Sequence, residues 1–109
     1  MLYIKGNSIK LTRGDTAYLT IPLELLTGEE YIMQPGDKLE LTIKEYVLTN
    51  QALVHKEIIG GNVFHIEPTD TANVPFGKYK YDIQLTTSSG DVFTVIDTDT
   101  FEILQEVTY

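Results

Sequence analysis

The run from Lys78 to Leu85 constrains this chain more than any other stretch. Tyr79, Tyr81, Ile83 and Leu85 alternate with Lys78, Lys80, Asp82 and Gln84. That period of two puts large apolar side chains on one face of a β-strand and charges on the other. Ser88-Ser89-Gly90-Asp91 then carries turn chemistry, and Val92 to Ile96 is a second β-rich run long enough to pair back. Upstream, Pro68 to Pro75 is too short and too proline-bounded for a lasting helix. A single helical turn capped by Asp70 is expected there, bridging a Phe64–Ile66 strand into the tyrosine strand.

The rest of the chain reads the same way. Ile9-Lys10-Leu11-Thr12 alternates and is followed by a turn at Arg13-Gly14-Asp15. Ala17, Leu19 and Ile21 alternate in the next strand, which Pro22 ends or confines to an edge because proline has no N–H. Thr27-Gly28-Glu29-Glu30 is a second turn, and Gln34-Pro35-Gly36-Asp37 a third of type II composition. Leu39, Leu41 and Ile43 mark a half-buried strand. Thr49-Asn50-Gln51 reads as a loop, with a strand from about Ala52 to Ile59.

Gly60-Gly61-Asn62 is read as a three-residue hairpin loop, because that register gathers Val54, Ile58, Phe64 and Ile66 on one face. It sets Ile58 opposite Phe64 and Val54 opposite Pro68. Asp97-Thr98-Asp99 is a polar break or bulge before a last strand holding Phe101 and Ile103. Roughly seven or eight short strands with no helix beyond one turn predict an antiparallel β-sandwich. Its core is expected to join Tyr79, Tyr81, Ile83 and Leu85 to Leu39, Leu41, Ile43, Leu19, Ile21 and Phe64.

Composition bounds the function classes. At 109 residues the chain is expected to be one domain, a size that buries a core without metal or disulfide staples. It has no cysteine, which excludes thiol catalysis, zinc ribbons and disulfides. A formal net charge of −8 argues against nucleic-acid or anionic-membrane partners, which call for clustered Lys and Arg. Neither a signal peptide nor a membrane-spanning apolar run is visible.

A resemblance covers nearly the whole chain. It is carried by Ile9 to Thr16, by Phe64-His65-Ile66-Glu67-Pro68-Thr69-Asp70-Thr71-Ala72, and by Phe76-Gly77-Lys78-Tyr79-Lys80-Tyr81-Asp82-Ile83. Gly90-Asp91-Val92-Phe93-Thr94 and Phe101-Glu102-Ile103 complete it. In order and spacing these segments resemble the immunoglobulin-like N-terminal domain of baseplate upper proteins and related tail or virion accessory proteins, in phages of Gram-positive bacteria and their prophages. A strand, a capped turn and a tyrosine-bearing strand also match the corner where such a sandwich crosses between sheets. The resemblance implies an Ig-like β-sandwich acting as a non-enzymatic structural module without cofactor. Its partners would be other virion or tail proteins, self-association included. It would be made in the bacterial cytoplasm and carried in the particle. Baseplate proteins continue into a linker and a receptor-facing part, whereas this sequence stops after the domain, so docking is the role carried over. The alternative is a carbohydrate-binding sandwich whose exposed tyrosines stack on sugar rings.

Several constellations also have plainer readings. Arg13-Gly14-Asp15 spells an adhesion tripeptide but is also ordinary turn chemistry, and the turn is preferred. In the three-residue register His55 faces Glu67 and Glu57 faces His65, a set able to ligate a transition metal. Exposed cross-strand charge pairs explain it as well, and no metal is expected. Asp70, Asp91, Asp97 and Asp99 lack the glycine and terminal glutamate of a compact calcium loop and are read as turn residues. No serine lies in a nucleophile elbow, so no catalytic residue is assigned.

One partner-binding pair is assigned. A two-residue Ser89-Gly90 turn would pair Ile83 with Ile96 and Leu85 with Thr94, sending Val92, Thr94 and Ile96 inward. Phe93 and Val95 would then point outward, an apolar surface that suits a protein contact; a different loop length would swap the two sets, putting Phe93 in the core and leaving Val92 exposed.

Overall fold

The computed structural model describes residues 2–5, 8–24, 27–45 and 52–105, and the loop expected at Thr49-Asn50-Gln51 lies outside them. Eight strands and one helical turn run in the order β1 (Leu2–Lys5), β2 (Ser8–Thr12), β3 (Ala17–Thr20), β4 (Lys38–Lys44), β5 (Val54–Ile59), β6 (Val63–Ile66), α1 (Pro68–Thr71), β7 (Gly77–Thr86) and β8 (Val92–Leu104). They form an all-β, sandwich-like fold. A six-stranded sheet, ordered β1-β2-β8-β7-β4-β5, lies against a two-stranded sheet of β3 and β6. No helix among the described residues is long and apolar enough to cross a membrane.

Alternation decides which face is dry. The core set expected around the tyrosine strand is buried: Tyr79, Tyr81, Ile83, Leu85, Leu39, Leu41, Ile43, Leu19, Ile21 and Phe64, and Ile9, Leu11, Phe101 and Ile103 are buried with them. Tyr81 packs edge-on against Phe101 with ring centroids 5.8 Å apart. Burial pushes the Tyr81 hydroxyl up to about 12, with Asp99 adding to the shift, so the ring stays neutral at any physiological pH. β4 pairs antiparallel with β7, Leu41 opposite Ile83 and Ile43 opposite Tyr81. The exception to antiparallel pairing is β2, which runs parallel to the end of β8, Ile9 beside Phe101. From there the chain turns at Arg13 and enters the other sheet as β3.

The β5–β6 hairpin expected from sequence is not formed. β5 pairs with β4, Ile58 opposite Leu39 and Val54 opposite Ile43, and β6 pairs with β3, Phe64 opposite Leu19. Gly60-Gly61-Asn62 is therefore a corner between the two sheets, with Gly60 at φ +75. Its two halves are held by different neighbours: Gly60 N–H donates to the Asp37 carbonyl, while Ile21 N–H donates to the Asn62 carbonyl. Both arrangements point the same four apolar residues at one core, from one side in a hairpin and from opposite sides here. Hydrophobic pattern alone does not separate them.

α1 is the expected crossing from β6 back to the large sheet. Asp70 sits at its third position and accepts the Glu67 N–H at 2.7 Å, the reciprocal half of a capping box. Lys56 reaches the same carboxylate at 2.9 Å. Lys56 lies opposite Leu41, on the core side of edge strand β5, so this ion pair closes the gap between the layers. After the turn, the Tyr79 hydroxyl donates to the Pro75 carbonyl.

Among the described residues the buried polar side chains are Asp37 at one end of the sandwich and Thr71 at the other. Thr71 Oγ1 accepts the Gly14 N–H at 2.8 Å and ties the Arg13–Asp15 turn to α1. The Asp37 carboxylate accepts the Gln34 N–H at 2.9 Å, the Ser88 N–H at 3.0 Å and the Tyr31 hydroxyl. Gly36, at φ +88, completes the expected type II turn just before it.

Candidate functional site

The β7–β8 hairpin carries the assigned pair, and its turn decides where they point. Thr87 N–H donates to the Asp91 carbonyl and Gly90 N–H to the Thr87 carbonyl, with Gly90 at φ +96. This is a three-residue Ser88–Gly90 loop ending in a left-handed glycine, not the expected two-residue Ser89-Gly90 turn. Ile83 does pair with Ile96, but Leu85 faces Phe93 and Gln84 faces Thr94, leaving Val95 as an extra bulged residue. A second irregularity sits between Ile83 and Tyr81, whose partners are Ile96 and Asp99. The polar break expected at residues 97–99 falls there.

Phe93 does not lie on the outer face as expected: it is opposite Leu85 on the core-side face, yet it is 54% exposed there. Ile58, Leu39, Leu85 and Phe93 form a row across the sheet, buried in the middle and open at Phe93. Val95 does not point outward: it is half-buried and packed against the core. Val92, expected inside, is 57% exposed, because the longer turn places it opposite Thr86 on the outer face.

The turn end of this hairpin, the Asp37 end, gathers further apolar surface that sequence reading missed. Ile59 lies opposite Lys38 at the start of β4, Val63 begins β6, and Ile32 lies in the loop leading to Asp37; all three are exposed. With Val92 and Phe93 they account for five of the eight large apolar residues exposed among those described. Ile59 gave a signal, since it breaks the alternation that buries Val54 and Ile58.

The histidines separate. His65 stacks on Tyr18 across β3–β6, ring centroids 4.6 Å apart and planes 8° from parallel. His55 lies on the outer face of β5 and bonds Glu40 of β4 at 3.0 Å. The expected pairings of His55 with Glu67 and of Glu57 with His65 are absent because β5 and β6 are not neighbours. Glu40, His55 and Glu57 do offer ligand atoms within 4.8 Å of one another. A cation already lies beside them: Lys38 Nζ is 3.1 Å from Glu40 and 4.0 Å from Glu57. The Lys38 ammonium, more than His55, lowers the Glu40 carboxyl below its ordinary value, and Glu40 raises Lys38. A zinc ion would have to displace that ammonium and take one imidazole in place of two. Calorimetry with zinc is expected to show no stoichiometric, tight binding. Heat that saturates at one equivalent and vanishes in His55→Ala would contradict this.

Asp99 accepts the Thr100 N–H at 2.7 Å and the Ser8 hydroxyl at 2.8 Å, which together depress its carboxyl. Asp91 N–H donates to Thr87 Oγ1 at 3.1 Å. Arg13 lies over the Phe76 ring, 5.6 Å from its centroid, so the Arg13-Gly14-Asp15 turn packs on the corner after α1. No family model, curated protein or solved structure matches this chain.

Proposed function

We propose that this chain is a non-enzymatic docking module, an immunoglobulin-like sandwich that holds onto protein partners within a phage or prophage particle. The observation that carries docking is the apolar Asp37 end, where Phe93, Val92, Ile59, Val63 and Ile32 are solvent-exposed. Folding alone gains little from leaving such residues in water, and exposed apolar residues with an aromatic anchor among them are common at protein interfaces. Placement in a particle rests on the resemblance alone.

Three features support the Ig-like part. β3 and β6 form one sheet, while β5, β4, β7 and β8 lie side by side in the other; this is the partition of strands B and E against C′, C, F and G. The short turn α1 crosses between the sheets at the position of the E–F connection. Tyr79 bonds back to the Pro75 carbonyl in the manner of a tyrosine corner. The carbohydrate reading keeps Tyr18, 65% exposed with one ring face against His65. Tyr79 and Tyr81 are spent on the core.

Phe93→Ser tests the proposal. The variant is expected to keep its melting temperature and to stop copurifying with tail or capsid proteins of the particle. Unfolding would return Phe93 to the core. Undiminished copurification would remove the docking role.

A further inference from the structure

From Val92 to Ile96, β8 is bonded along one edge only. β7 pairs with it there, while β2 meets β8 only from Phe101 to Leu104. Among the described residues no other strand approaches the open side. The hairpin fixes which backbone groups are spare. Thr87 N–H bonds the Asp91 carbonyl, so the next bonded pair of this antiparallel ladder is Leu85–Phe93. Val92 and Thr94 fall between bonded pairs and turn their N–H and C=O groups to the open side.

The side chains do nothing to blunt that edge. Val92-Phe93-Thr94-Val95-Ile96 holds no charge, proline or glycine, and every member is a strong strand former. Folded proteins generally guard such edges with inward charges or proline. The opposite edge of the same sheet is guarded in this way, by Lys56 aimed inward at Asp70. The β8 edge has a bulge at Val95, so the regular part of the open ladder is Val92 to Thr94.

We propose that this edge takes up an extended segment of another protein as an added strand, apolar in its middle and flanked by lysine or arginine. The inference rests on the docking reading and names the mode and chemistry of the partner. The flanks follow from charge. Asp91 and Asp97 bracket the apolar run in a chain of net charge −8. A second copy paired antiparallel about Thr94 would set Asp91 opposite the other copy's Asp97, and directly opposed like charges destabilise a ladder. Basic residues at those positions complement it. Backbone bonds would supply the affinity and Phe93 a side-chain contact.

The test uses a fluorescein-labelled synthetic peptide of alternating valine and threonine with two lysines at each end, titrated into the full chain and followed by anisotropy. Saturable binding that weakens with added salt is expected, with slowed hydrogen exchange at the Val92 and Thr94 amides. Thr94→Pro removes an N–H aimed at the open side and none from the β7 ladder, so it should weaken binding about tenfold at unchanged melting temperature. Val92→Pro serves the same purpose if Thr94→Pro does not fold. Absence of saturable binding, indifference to both prolines, or equal binding of a peptide with glutamate flanks would overturn the proposal. So would a dimer of the unliganded chain that Thr94→Pro dissolves, since the occupant would then be a second copy. If Phe93→Ser abolishes copurification while the proline variants leave it intact, docking stands and strand addition falls.

Discussion

Ile83→Ala is expected to cost about 2–5 kcal/mol, the range for large-to-small changes in a packed core. Ile83 is 0% exposed and sits mid-sheet between Leu41 of β4 and Ile96 of β8. Truncation leaves a cavity in the middle of the sheet beside β4, whose backbone is fixed by ladder bonds on both sides, so the site has little freedom to collapse. A domain of this size has roughly 5–15 kcal/mol in hand, and the loss is a large share of it. Val92→Ala is the matched control. Val92 lies on the same hairpin but is 57% exposed, and its truncation should change stability by less than about 0.5 kcal/mol. Urea denaturation of both variants checks the pair. A loss under about 1 kcal/mol at Ile83 would mean that the inward set of β7 is not the core.

The inward set was legible because it depends on parity within a strand. Tyr79, Tyr81, Ile83 and Leu85 all face inward whatever β7 pairs with, and the same holds for Leu39, Leu41 and Ile43. Pairing partners were harder to read. Val54 and Ile58 have identical alternation in a β5–β6 hairpin and in the observed corner, and the choice was made by β4, which offers β5 a full antiparallel neighbour from Lys38 to Ile43. Nothing within residues 52–66 encodes that competition.

The candidate site turned on one residue of loop length. A left-handed Gly90 extends the hairpin loop to three residues, which carries Val92 outward and Phe93 onto the core-side row. The bulge at Val95 then restores the Ile83–Ile96 pairing. Two irregularities of opposite effect make one predicted pair correct and its neighbour wrong. The open edge of β8 was not legible at all, since it depends on how far β2 reaches along its neighbour.

Asp37→Asn should lower the melting temperature at neutral pH by on the order of 10 °C, the scale for losing charge-assisted bonds in a domain of this size. Asp37 joins three backbone segments. It accepts from Gln34 of its own turn, from Ser88 of the β7–β8 hairpin and from the Tyr31 hydroxyl, while its carbonyl accepts from Gly60 of the corner. An amide presents N–H where one of these donors needs an acceptor, so a part-buried hydrogen bond is lost. The donated bonds, Tyr31 first, hold the Asp37 carboxyl below its ordinary value of 3.8, and Asp37 in turn raises the Tyr31 hydroxyl. A folded-state pKa below the unfolded one means stability that is complete above the unfolded value and lost as pH falls through the folded one. The wild-type chain should therefore lose stability progressively below about pH 4. Asp99 and Glu40, also depressed, contribute to the same limb. In Asp37→Asn that limb should be shallower, because one of the three carboxylates no longer titrates. Thermal melts of both proteins between about pH 2 and 7 read the two effects separately. An unchanged melting temperature at neutral pH with an equally steep acid limb would show that the loops of this end hold together without Asp37.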